Sequence, residues 1–221
     1  MEDEVILLNF WLSPYGMRVR IALEEKGIKY ENREEDFSNK SSLLLQMNPI
    51  HKKIPVLIHN GKPICESLVT IEYIDEVWNH QSPLLPSDPY QRSQARFWAN
   101  YIDTKVIHYH EFVIMKTEEG EEKEAAKKEL LEHLKLLEEQ LRDKPFFGGD
   151  NLGFVDVALV PLFCWLYTNA LSGTFIDENQ YPNIIAWAKR CTDKESVSKS
   201  FPDENTIKRF AEERRLLRQG E

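Results

Sequence analysis

The sequence predicts an α/β domain at the N-terminus joined to an all-helical one. Two observations predict it. From residue 1 to about residue 80, short apolar runs bounded by turn residues alternate with segments of helical period. Beyond a stretch carrying Pro83, Pro86 and Pro89 the strand signals stop, and only helical periodicity remains.

Val5 to Phe10 is an apolar run too short for a helix and reads as a buried strand. Ser13-Pro14-Tyr15-Gly16 interrupts it, and a helix follows from Gly16 to Lys26, stopped by Gly27. Lys29 to Asn32 reads as a second, edge-like strand. Ser41-Ser42 opens a helix that Asn48-Pro49 ends. Ile54 to Ile58 and Lys62 to Cys65 flank Asn60-Gly61, a strong hairpin signal. Glu66-Ser67 opens a helix carrying Leu68, Ile71, Tyr73, Ile74 and Trp78. The order βαβαββα gives one mixed sheet covered by helices, the arrangement of a thioredoxin-like domain over residues 1–80. Trp78 to Pro89 reads as a linker, and residues 90–221 as the helical domain.

In that second domain one long helix is expected from Pro89 to Lys116 and another from Glu118 to Leu141. The latter has an apolar stripe of Ala126, Leu130, Leu134, Leu137 and Leu141. Its charge-dense start reads as a solvated face, with Glu124 paired to Lys128. At Gly153-Phe154-Val155-Asp156 a helix starts, with Asp156 placed to accept from the Gly153 N–H and Leu152 and Val157 placed to form a hydrophobic staple. Tyr181-Pro182 and Phe201-Pro202-Asp203 mark two more helix starts.

The chain has 221 residues, 42% of them hydrophobic, enough for a substantial core. A net charge of -9 argues against nucleic-acid binding, which concentrates Lys and Arg on one face. The acidic start and the lack of a bilayer-length apolar stretch lead to the expectation of a cytosolic protein with no membrane partner. Cys65, Cys164 and Cys191 form no CxxC pair, and the six histidines are scattered, so no metal site is expected.

Ser13 to Leu23 resembles the start of the first helix in cytosolic glutathione transferases of the plant tau class. Asn48 to Leu57 and Cys65-Glu66-Ser67-Leu68 are similar to the two glutathione-site segments of that class. The resemblance spans essentially the whole chain, with one departure: Gly153 stands where the family usually caps a helix with Ser or Thr. It implies no permanently bound cofactor, glutathione as co-substrate, and a homodimer.

Glutathione attacks as a thiolate, and a free thiol with a pKa of about 8.5 is only a few per cent ionised at neutral pH. A serine hydroxyl donating to sulfur, at a helix N-terminus, favours the anion. The resemblance gives that catalytic role to Ser13; from the Ser-Pro dipeptide alone, Ser13 is a helix cap, and one hydroxyl can do both. By the same resemblance Ile54-Pro55 is the site of a cis-proline that presents Ile54 to the cysteinyl unit. Glu66 and Ser67 then meet the γ-glutamyl group, and Lys40 and Lys53 the glycyl carboxylate. Read alone, Glu66 and Ser67 merely favour a helix start, and the lysines are surface. Lys52 lies on the other side from Lys53 by alternation. Arg18 and Arg20 read either as long-range support for the thiolate or a contact across a dimer, or as solvated helix charges, and stay outside the catalytic set.

Hydrophobic electrophiles need an apolar cleft between the domains. Its candidates are Phe10, Leu12 and Tyr15 beside the Ser13 loop; Ile107, Glu111 and Ile114 on one face of the long helix; Trp165; and Phe210 and Leu217 near the C-terminus. Individually the apolar ones also suit ordinary core packing. The function expected is conjugation of glutathione to hydrophobic electrophiles in detoxification; the alternative is a carrier of hydrophobic small molecules with incidental transferase or peroxidase activity. Thiol transferases of this kind need a cysteine where Ser13 stands.

Overall fold

The structure is a computed structural model describing residues 3–109, 120–167, 176–203 and 205–206, with the backbone alone for 164–167. Strand β1 (Val5–Asn9) leads into helix α1 (Pro14–Glu25), then β2 (Glu31–Glu34) and α2 (Ser42–Met47). The hairpin β3 (Val56–His59) and β4 (Lys62–Cys65) follows, and α3 (Ser67–Val77) closes the unit. The four strands run in the order β2-β1-β3-β4, with β2 parallel to β1 and the other two pairs antiparallel. The predicted βαβαββα order holds. The predicted second strand is displaced: β2 begins at Glu31, two residues after Lys29, and all of its side chains are exposed. With no buried face, β2 carries no alternation that could set its register.

Alternation does set β1. Val5 and Leu7 join Leu57 under α1 and α3, whereas Ile6 and Leu8 join Val56 and Ile58 under Leu44 of α2. Ser41 caps α2 through the Leu44 N–H (3.0 Å), as its position before the apolar run predicts.

The helical domain begins with α4 (Pro89–Tyr101), but the expected uninterrupted helix is absent. A π-helical turn, Ile102–Val106, follows α4, and α-helix resumes over 107–109. Such insertions leave no composition signal and often mark functional sites. Next come α5 (Glu121–Leu141), α6 (Phe154–Tyr167), α7 (Pro182–Thr192) and the short α8 (Glu195–Ser198). The α5 stripe of Ala126, Leu130, Leu134, Leu137 and Leu141 is buried as predicted, but Glu124 pairs with Lys127 (2.7 Å) rather than Lys128. The i, i+3 partner is as near as the i, i+4 one on a helix surface. Helix α6 is buried throughout residues 154–163, apolar but for Asp156, and packs against α1, α4 and α7.

The linker is braced. Lys26, at the end of α1, places its buried ammonium 2.6 Å from the Asp75 carboxylate and 2.6 Å from the Gln81 carbonyl. Both Asp75 oxygens also accept backbone N–H groups, from Leu84 (2.8 Å) and Leu85 (2.9 Å). The Leu84 carbonyl then receives the Phe154 N–H at 2.8 Å, tying the linker to the start of α6.

That start depends on Asp156. Its carboxylate accepts from the N–H groups of Phe147 (2.8 Å), Gly148 (3.0 Å) and Gly153 (2.8 Å), and from Trp187 Nε1 (2.7 Å). Burial pushes the Asp156 carboxyl up from its usual range, and these four donors pull it back. A side chain at Gly153 is sterically excluded in this geometry, because its Cβ would lie 2.9 Å from Gly148 Cα. Asp156 thus supplies the reciprocal half of a capping box, accepting the N–H of Gly153, while Gly153 itself offers the first turn no side-chain oxygen. Asp156→Ala is expected to lower unfolding stability by at least about 3 kcal/mol, since each buried donor left unmade costs about 1–3 kcal/mol. Chemical denaturation checks this, and an unchanged midpoint refutes it.

Candidate functional site

The topology gathers four chain segments at one end of the sheet. Parallel pairing puts the ends of β1 and β2 side by side (Asn9 opposite Glu34). Antiparallel pairing brings the start of β3 and the end of β4 to the same end, with Val56 opposite both Leu8 and Cys65. The segments that leave or enter there carry Ser13, Lys40, the Lys53-Ile54-Pro55 turn, and Glu66-Ser67.

Ser13 caps α1. It is 7% exposed, and its Oγ accepts from the Gly16 N–H at 3.2 Å. Its own N–H donates to the Phe10 carbonyl (2.9 Å), closing residues 10–13 into a turn. With an acceptor position of the hydroxyl used by the helix, its proton is available to donate outward. The cap therefore leaves room for a donor role. Asn9 packs beneath this turn. Its side chain is fully buried and occupies the space beside Gly16, where a Cβ would stand 1.7 Å from Asn9 Oδ1. Only glycine fits there.

The Ile54–Pro55 bond is cis. Its approach is held by Asn48, which sequence reasoning took as a helix end and as the first residue of a segment that resembles a glutathione site, with no role of its own. Asn48 Nδ2 donates to the Lys53 carbonyl (2.9 Å), and its Oδ1 accepts from the His51 N–H (3.1 Å). Lys40 and Lys53 are both exposed. Lys52 has φ 53°, so the regular alternation assumed for it does not apply.

Glu66 precedes α3 with φ 69° and ψ 119°, a backbone state costing a non-glycine residue about 1–3 kcal/mol and concentrated at binding sites. Its side chain is exposed, whereas Ser67 is buried. Ser67 Oγ accepts from Arg18 Nη1 at 3.1 Å, so this second hydroxyl also keeps a proton to donate.

Arg18, left open between a supporting role and a solvated charge, is decided by its burial. It is 0% exposed, not solvated. Its Nε donates to the Ala158 carbonyl (2.8 Å) and its Nη1 to Asp103 Oδ1 (2.6 Å), besides Ser67. Its guanidinium also lies over the Tyr15 ring, 5.5 Å from the centroid. Asp103 sits on the π-helical turn. The signal was present in α1, where Met17, Val19, Ile21, Ala22 and Leu23 leave little surface for a charge. Asp103 gave none. Arg20 is not a free surface charge either, since its Nη2 donates to the Trp11 carbonyl at 2.8 Å.

Among the apolar candidates, Phe10, Leu12 and Tyr15 are half-buried around the Ser13 turn, and Ile107 packs within the main core. Phe10 meets Phe37 edge-on at 4.8 Å. Glu111, Ile114, Phe210, Leu217 and the Trp165 side chain lie outside the described residues. Cys65 stands beside Glu66, and burial, reinforced by that carboxylate, pushes its thiol up from the ordinary value. It is poorly placed to replace a catalytic cysteine. Among the described residues no cluster of His, Cys, Asp and Glu is arranged to hold a metal ion.

Comparison with known proteins agrees with this layout. The family models described as "Glutathione S-transferase, N-terminal domain" and "Glutathione S-transferase, C-terminal domain" match residues 3–76 and 101–195. Glutathione S-transferase 3 of Glycine max is 58% identical over 94% of this chain and 94% of its own length. Glutathione S-transferase U25 of Arabidopsis thaliana is 56% identical over 97% and 96%. The tau class enzyme of mango (Mangifera indica) superposes with a TM-score of 0.87 at 43% identity, covering 95% of this chain and 97% of that one. Rice GST1, solved in complex with glutathione, gives 0.88 at 44% identity, covering 96% of each.

Arg18→Lys is expected to destabilise the fold by about 2–4 kcal/mol. An ammonium cannot span three acceptors, and the loss stays below that of a fully buried pair because the Asp103 side chain is 32% exposed. Thermal unfolding of the variant measures it.

Proposed function

The chain belongs to the glutathione S-transferase family, tau class, and from that premise we propose that it conjugates glutathione to hydrophobic electrophiles, with Ser13 stabilising the thiolate. The observation that carries this reading is the Ser13 hydroxyl at the N-terminus of α1, its oxygen accepting from Gly16 (3.2 Å) and its proton unspent. A donor there, together with the positive end of the helix, stabilises a nearby sulfur anion relative to its thiol. Lowering a thiol pKa by about two units corresponds to roughly 2.7 kcal/mol and makes the anion the main species at neutral pH. No covalent bond to the enzyme is needed.

In this reading Ser67 donates to the γ-glutamyl carboxylate, with the Arg18 charge behind it, and Glu66 accepts from the γ-glutamyl ammonium. Ile54, beside the cis Pro55, pairs its backbone with the cysteinyl unit in strand fashion, and Lys40 and Lys53 meet the glycyl carboxylate. These few local cations let a chain of net charge -9 bind an anion. Phe10, Leu12 and Tyr15 form the described part of the electrophile wall. Detoxification in the cytosol is the setting such chemistry suits.

Ser13→Ala is expected to raise the thiol pKa of bound glutathione by about two units. Conjugation of a chloronitrobenzene near pH 6.5 should fall about a hundredfold, with glutathione affinity little changed. Thiolate absorbance and initial rates read both, and equal turnover in the variant removes Ser13 from this role.

The enzyme also works as a homodimer in this reading. Ile50 (83% exposed), Val69 (56%), Tyr90 (72%) and Phe97 (57%) leave large apolar side chains in water on the loop before β3, on α3 and on α4. An Arg96–Glu72 ion pair holds α3 and α4 together beside Val69 and Phe97. Light scattering is expected to give twice the 26.0 kDa chain mass, and Phe97→Glu to return the monomer. A monomeric parent protein overturns this.

A further inference from the structure

The turn that carries Ser13 is gripped from two sides at one residue, Trp11. Glu34 Oε2, at the end of β2, accepts from the Trp11 N–H at 2.8 Å. Arg20 Nη2, one and a half helical turns beyond the start of α1, donates to the Trp11 carbonyl at 2.8 Å. Both are charge-assisted hydrogen bonds, about twice as strong as neutral ones. The second Glu34 oxygen accepts from Asn32 Nδ2 at 2.7 Å, which orients the carboxylate. Two residues on, the Ser13 N–H closes the turn on the Phe10 carbonyl at 2.9 Å.

Position matters here because a hydroxyl stabilises a thiolate only when its proton points at the sulfur. Displacements of about an ångström in such groups cost up to about a hundredfold in rate. The Gly16 N–H fixes one side of the Ser13 hydroxyl. What remains to fix is the turn, and its two Trp11 backbone groups are tied to side chains on different elements.

We infer that Glu34 and Arg20 act as a clamp that positions Ser13, a role resting on the proposed use of Ser13 as thiolate donor. Neither is a catalytic residue; each acts through the Trp11 backbone. The charged and titratable groups meeting there are Glu34 from β2, Arg20 from α1 and, beside Arg20, Tyr30, which also faces Glu24 of α1. The clamp also accounts for a fully exposed polar strand at the sheet edge: β2 contributes a carboxylate in place of core packing.

Field and position give opposite signs, so one pair of variants separates them. Losing a negative charge near the site lowers the thiol pKa, whereas misplacing the donor raises it. In the full-length protein, Glu34→Ala is expected to raise the thiol pKa of bound glutathione by about half a unit or more. It should also cut kcat/KM at pH 6.5 about tenfold, with KM for glutathione within about twofold. Glu34→Gln loses the charge but keeps an acceptor for the Trp11 N–H, and is expected to recover most of that loss. Glu34 is exposed, so neither change removes much packing. A Glu34→Ala profile superimposable on the parent overturns the clamp, as does a downward shift shared by both variants. Ser13→Ala measured in parallel tells the two failures apart. If Ser13→Ala leaves the thiol titration in place, the reading beneath the clamp fails. If only Glu34→Ala is silent, the clamp alone fails.

Discussion

A guanidinium with no access to water needs acceptors, and in this protein those that Nε and Nη1 of Arg18 find, while Nη2 stays unpaired among the described residues, join the two domains. Arg18 takes its acceptors from three places: a carboxylate on the π-helical turn, a carbonyl on α6 and a hydroxyl at the start of α3. The first two belong to the helical domain and the third to the N-terminal one. Stranding such a charge costs several kcal/mol, so the helical domain cannot drift from α1 without penalty. The π-helical turn belongs to the same solution, since it carries Asp103 within 2.6 Å of the cation.

The same constraint shapes the chemistry. Ser13 and Ser67 each use oxygen as acceptor toward the protein, one from a helix N–H and one from Arg18. Each therefore keeps a proton to donate. An anionic ligand can be held by such donors without a large positive surface.

Much of this architecture was legible in the residues. Asn60-Gly61 announced the hairpin, Ser41 the cap of α2, and Asp156 the box at the start of α6, because each is a local rule read over a few residues. Ser13 was legible as a cap from its dipeptide; its donor role was an expectation that came only through the resemblance. The solvated reading of Arg18 fails because its exposure depends on α6 packing over α1, a contact between residues far apart in the chain. The π-helical turn was invisible because Ile102 to Val106 has the composition of any helix. The register of β2 was lost for the opposite reason: with no apolar face, Glu31 to Glu34 has no period to read.

The brace on the linker bears on how such proteins can be recombined. Lys26, Asp75, the Leu84 and Leu85 N–H groups and the Phe154 N–H form one continuous chain of bonds from the end of α1 to the start of α6. Hybrids that graft one half onto a relative's other half sever or mismatch this chain wherever the crossover falls between Asp75 and Phe154. Such grafts need the linker and its acid carried over as one cassette, so shuffling within this family is expected to respect a boundary set by a lysine rather than by the prolines.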